Sequence, residues 1–257
     1  MTTEELHELA LRSIRELETD KGILASGRDE IYACTFGRDS LITGLMLLRL
    51  HEKDANEYYL ALSKKILANM AGLQGRVVNI ESGEEPGRII HEFRPDKHEH
   101  LSGKHNAMPW FVYPDGSLRN YDTADGTPLF LLAVHAYVRA TKDEAFMREM
   151  LPHVKAALDW LIEYGDKNGD GLFDYVFLPE RKHGGLVTQS WMDSFDSAFM
   201  DDGAKPEYPI APVEVQAYAY AALRQWARFF IEAGEAEKAS RLNSRANVLR
   251  RAFDEKF

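Results

Sequence analysis

Apolar residues recur along this chain at three- and four-residue steps, the spacing of amphipathic helices. Glu4 to Glu18 opens on Thr2-Thr-Glu-Glu5, a capping-box pattern, and sets Leu6, Leu9, Ile14 and Leu17 near one face. Ser40 to His51 is apolar nearly all round, as a helix buried on most sides should be. Ala55 to Leu73 and Thr127 to Ala140 follow. Thr141-Lys-Asp-Glu144 makes a second capping box before a stretch through Ile162, in which Pro152 predicts a break at Leu151 and a restart. Pro212 to Ala233, stopped by Gly234, and Ala236 to Phe253 complete about seven helices.

The connections alternate in character. Lys53-Asp54, Thr141-Lys142 and Gly234-Glu235 are short, whereas residues 19–38, 74–126 and 165–210 are long and polar. Loops of that length are uncommon in a compact domain unless they carry function. Val77 to Ile80 with Arg88 to Phe93 predicts a short β-hairpin inside the second. A rhythm of helix, short turn, helix and long crossing implies antiparallel helical hairpins with every long crossing on one face, and no residue-level repeat supports a short-period solenoid.

Composition narrows the partners. Thirty-one basic against 41 acidic residues leave a net charge of −10, which with no basic stripe argues against nucleic acid. The single cysteine, Cys34, excludes an intrachain disulfide and, in the apolar stretch Ile31 to Phe36, reads as a small buried hydrophobe. No apolar run approaches the ~20 residues of a membrane span, and Met1 to Glu5 lacks the pattern of a signal peptide, so the expectation is a soluble cytoplasmic protein without a membrane partner.

Chemistry concentrates in the crossings. They hold Phe36-Gly-Arg-Asp-Ser40, His91-Glu-Phe-Arg94, Tyr121 to Pro128, Gln189 to Asp196 and Pro209 to Gln216. Carboxylates interleaved with Trp and Tyr form the set a sugar site needs: aromatic faces cover a pyranose, polar groups pair its hydroxyls, and two carboxyls can run glycoside hydrolysis. Taken singly, Arg38-Asp39 and Asp125 also suit helix caps, and Glu214 suits a first-turn acid. Asp193, two residues after Trp191, has no such structural role. Asp166-Lys-Asn-Gly-Asp-Gly171 matches the start of a calcium loop, but Phe177 stands where the twelfth-position acid belongs, so the segment reads as a turn. His98, His100 and His105 fit no zinc spacing, and no phosphate-cradling glycine motif exists; no metal or cofactor is assigned.

Through Phe36-Gly-Arg-Asp-Ser-Leu-Ile42, His91 to Arg94, Asp125 to Phe130, Tyr164 to Gly171, Gly185 to Ser194 and Pro209 to Tyr218, the chain resembles the glycogen-debranching, amylo-α-1,6-glucosidase-like branch of the six-hairpin glycosidases. The resemblance implies an all-α (α/α)6 toroid, incomplete with about seven of twelve helices, so residues 1–257 form one catalytic domain corresponding to the N-terminal part of the ring. It implies an inverting glycosidase acting on α-linked glucosides, with Asp193 as general acid and Arg38 and Asp39 in the sugar pocket. The family's general base is a late Glu beyond Phe257; Glu214 and Asp125 are the candidates within the chain. His91, Glu92, Asp125, Trp191 and Gln216 join the expected substrate-binding set. Two other readings stand beside it: a carbohydrate-binding or assembly module lacking the base, and, third, a metal-dependent enzyme using the Asp-rich run Asp193 to Asp202. An incomplete ring also leads us to expect self-association through its exposed flank.

Overall fold

The computed structural model describes residues 1–257. Seven long helices carry the fold: α1 (Thr3–Leu17), α2 (Gly37–Asp54), α3 (Glu57–Gly72), α5 (Gly126–Thr141), α6 (Glu144–Glu163), α7 (Val213–Glu232) and α8 (Ala236–Lys256); α4 (Glu99–Ser102) is a single turn. Five short strands, β1 (Glu18–Thr19), β2 (Gly22–Ile23), β3 (Thr35–Phe36), β4 (Glu92–Arg94) and β5 (Leu118–Asn120), lie between them. None of the helices is long and apolar enough to cross a membrane.

The helices form two layers. α2, α5 and α7 pack side by side, and α3, α6 and α8 pack behind them, one on each. α1 extends the rear layer, with its His7 reaching the Tyr59 hydroxyl on α3 and Arg15 over the Tyr58 ring. Between the layers runs one continuous core of 44 buried residues, and its size explains why helices of modest intrinsic stability persist. Small residues permit close approach of α7 and α8: Ala219, Ala222 and Ala227 on α7 and Ala239 and Ala246 on α8 are all 2% exposed or less. Trp226, sealed at 1% exposure, still satisfies its indole N–H on the Leu131 carbonyl of α5.

Three local expectations are corrected. α6 runs through Pro152 without a break. Pro152 and Arg148 both lie on the exposed face, where water can take the carbonyl that a proline leaves unbonded, and buried Met150 and Val154 hold the register on either side. The N-cap of α6 is Asp143, whose carboxylate accepts from the Phe146 N–H, while Thr141 instead accepts from the Asp143 N–H. The second crossing does contain an antiparallel strand pair, but β4 pairs with β5 and, on its other edge, with β3. Residues 76–84 fold back on themselves instead, because Glu84 accepts the N–H groups of Arg76 and Val77 and leaves Val77 and Val78 exposed.

That three-stranded sheet ties the first crossing to the second, just before α2. Gly37, first residue of α2, donates to the His91 carbonyl at 2.8 Å, and a Cβ there would lie 2.0 Å from the Ile90 carbonyl oxygen. Only glycine allows the two backbones this approach. Gly37→Ala is therefore expected to cost about 3 kcal/mol, at the upper end of overpacking penalties, measured as a lowered urea midpoint at unchanged slope.

Candidate active site

Arg38 sits in the first turn of α2, and its guanidinium is the meeting point of all three crossings. One nitrogen donates to Asp125 Oδ2 and to the Ser190 carbonyl, each at 3.0 Å, and the other donates to Asp193. Asp125 is the N-cap residue of α5 and is completely enclosed; its second oxygen accepts from the Thr123 hydroxyl. Arg38 itself is largely buried, and its two carboxylate partners raise its pKa against the opposing effect of burial. Asp193, with a side chain 35% exposed, is the one member of the group open to solvent.

α7 brings its first turn to the same place. Tyr218, one turn in, has its pKa raised by burial, by Glu214 and by Asp125, with Arg38 opposing. Glu214 keeps one buried carboxylate oxygen without a hydrogen-bond partner. The N-termini of α2 and α5 thus meet at the carboxylates paired with Arg38, where their dipoles favour negative charge.

The other expected residues divide by depth. Asp39 is exposed and free of polar side-chain partners, available to a ligand. Trp191 is 61% exposed, and Phe195 and Phe199 beside it are more so. His91 and Glu92 lie behind the surface, each 3% exposed. The His91 ring stacks edge-on against Phe36, and burial, with Arg38 and Arg88 nearby, pushes its pKa down to about 3. Glu92 pairs with Arg94 and accepts from the Cys34 thiol, and burial raises it despite Arg94. Gln216 is engaged elsewhere: its amide accepts from the Phe173 N–H and donates to the Phe173 and Pro212 carbonyls. It positions the third crossing under α7 and has no free group for a sugar hydroxyl.

Two residues that motif reading passes over hold the crossings together. Arg88 donates to the carbonyls of Gly83 and Thr123 and to Gln189 Oε1, with its guanidinium over Trp160. Arg181 grips both oxygens of Asp122, at 2.8 and 3.0 Å, in a pair 2% exposed or less, and also caps the Glu81 and Gly184 carbonyls. Arginine beside isoleucine, as in Arg88-Ile-Ile90, was the one hint available, since an arginine within a buried run must find acceptors.

A family model described as amylo-alpha-1,6-glucosidase matches residues 97–257. Among solved structures, glucoamylase from Saccharomycopsis fibuligera is similar in fold, with a TM-score of 0.61 at 16% identity, covering 96% of this chain and 47% of that one. The chain therefore has the fold of part of an (α/α)6 toroid and spans about half the length of that glucoamylase. No curated protein matches the sequence significantly.

The geometry separates the roles of the two aspartates energetically. Arg38→Met strands the enclosed Asp125 charge and should cost about 3–5 kcal/mol, whereas Asp193→Asn removes a partly exposed partner and should cost no more than about 1 kcal/mol, both by urea unfolding. His91 adds a pH dependence. Its folded pKa lies below the ordinary 6.5, so the unfolded chain binds the extra proton and stability falls as pH drops from about 6.5 toward 3. His91→Gln should flatten that limb by up to about 1.4 kcal/mol per pH unit in unfolding measurements between pH 6 and 4.

Proposed function

The chain belongs to the amylo-alpha-1,6-glucosidase family, and from that premise we propose that it supplies the acid-bearing part of an inverting glycoside hydrolase acting on α-linked glucosides, such as α-1,6 branches of glycogen-like glucans. The observation that carries this reading is the Arg38–Asp193 contact, which sets the acid after Trp191 beside the buried Arg38–Asp125 pair. Asp193 protonates the glycosidic oxygen as the bond to the anomeric carbon breaks. Its contact with Arg38 is released as the sugar enters, and Arg38 and Asp39 then take hydroxyls. Trp191 covers the apolar face of the ring. Asp125, His91 and Glu92 act from behind, holding Arg38 and the surrounding backbone in place.

Inversion requires a second carboxylate, roughly 6.5–9.5 Å from the first, to activate water on the opposite face. Within this chain Glu214 is the candidate, because its unpartnered oxygen at the head of α7 is free to accept a proton. A second reading, a carbohydrate-binding module without turnover, is favoured by the exposed aromatic run Trp191, Phe195 and Phe199, which offers stacking faces to a sugar.

Assays on maltooligosaccharides and α-1,6-branched dextrins, with the anomer of fresh product followed by NMR, test the proposal. We expect β-glucose from the wild-type chain, and a loss of at least about 10²-fold in Asp193→Asn, the lower range for a general acid, with the melting temperature lowered by no more than about 4 °C. Wild-type turnover in Asp193→Asn removes that residue from the role, and calorimetric binding without any turnover selects the module.

A further inference from the structure

The segment that leaves α6 is built around oxygen. Asp166, Asn168 and Asp170 occupy the first, third and fifth positions of a loop of the calcium-binding spacing, and Gly171 stands at the sixth with φ +93°, where such loops need glycine for their turn. The twelfth position, Phe177, carries no acid and instead packs under the Arg181 guanidinium. The ninth position supplies what the twelfth lacks. Asp174 folds back so that one carboxylate oxygen each from Asp166, Asp170 and Asp174 lies within 4.8 Å of the others.

Asp174 is the observation that points to a ligand. It is 5% exposed, its Oδ1 accepts from the Lys167 N–H at 2.8 Å, and its Oδ2 is buried with no partner at all. A buried acceptor left unmet beside two other carboxylates is costly unless a cation completes it. The side chains facing the loop pair with two of its three acids, and none of them donates to Asp174. Arg245 of α8 donates to the Gly171 carbonyl and stands 3.7 Å from Asp166 Oδ2; Lys256 donates to Asp170 Oδ2 from a solvent-exposed position; Lys167 turns away to Glu85.

We propose that this loop is a calcium site, formed by Asp166, Asn168, Asp170, the Leu172 carbonyl and Asp174, that fixes the start of the third crossing. An all-oxygen donor set of carboxylates, an amide and a backbone carbonyl suits calcium over zinc or the stricter octahedron of magnesium. Its structural effect passes through the neighbouring residue: Phe173 is the backbone that Gln216 of α7 holds through both its N–H and its C=O. Locking the loop therefore locks the first turn of α7, where Glu214 stands.

The test uses the whole chain, stripped with EDTA and dialysed, then titrated with calcium chloride by calorimetry and melted with and without the ion. We expect one site per chain and, at calcium about 100-fold above the dissociation constant, a melting temperature about 5–10 °C higher, with magnesium chloride giving little. Asp174→Asn keeps an acceptor for the Lys167 N–H and should melt at or above the metal-free wild type while losing the calcium response; Asp170→Asn is the substitute if that variant does not fold. Lys256→Met, which removes the competing ammonium, should bind calcium several-fold tighter. Absence of binding heat and of any melting shift at millimolar calcium overturns the proposal, as does an equal response in the wild type and in Asp174→Asn. An equal response to magnesium overturns the assignment to calcium.

Discussion

The site depends on a single guanidinium placed where water hardly reaches. Arg38 comes from the end of the first crossing, Asp125 from the second, and Ser190 and Asp193 from the third, and its hydrogen bonds join all three. Burying a guanidinium is unfavourable by itself, and so is enclosing Asp125; each is tolerated only because the other is there. The planar fork also dictates direction, since its nitrogens can serve two carboxylates and a carbonyl only if those arrive from fixed angles. The three crossings are thereby given one mutual arrangement instead of many.

That constraint works because the crossings reach it already ordered. Arg88 satisfies carbonyls within the second crossing and reaches the third at Gln189, Arg181 reaches back from the third to Asp122 and the Glu81 carbonyl of the second, and the Ala124 N–H adds a bond to the Gln189 carbonyl. Loops normally stay at the surface because their backbone groups cannot be met inside. Here buried arginines meet them, and Thr123 and Gln189 are 1% exposed although neither belongs to a helix or strand.

The helices were legible because burial repeats: each long element except α1, where Leu11 alone is buried, shows its core at three- and four-residue steps, and their number, order and pairing follow from that period and the short turns. The residues of the site were legible as chemistry, acids and aromatics gathered in polar crossings, and Arg38, Asp125 and Asp193 do meet. Depth was not legible. Nothing in Asp125-Gly-Thr-Pro128 distinguishes an enclosed carboxylate from one offered to a ligand, because the difference is made by Arg38, 87 residues away. Gln216 misled for the same reason, since its partner Phe173 lies 43 residues off, and a buried amide looks in sequence like an available one. Pairing of β4 likewise goes to the distant Thr35-Phe36 and Leu118–Asn120 segments, which local alternation cannot reveal.

The third crossing changes character at one point, and the place of that change bears on how the site could work. Up to Ser190 it is clamped: Thr188, Gln189 and Ser190 are each 5% exposed or less. From Trp191 to Met200 it presents Trp191, Met192, Phe195, Phe199 and Met200 outward, with its internal bonds confined to a few such as those from the Ser197 hydroxyl to the Met192 and Ser194 carbonyls. Asp193 follows the boundary by three residues, held by Arg38 on the rigid side and flanked by exposed aromatics on the other. Segments with few buried contacts are the ones that rearrange at low cost. A ligand stacking on the aromatics could therefore shift Asp193 without disturbing the Arg38–Asp125 pair beneath it, whereas an acid fixed as deeply as Asp125 could not move toward a substrate at all.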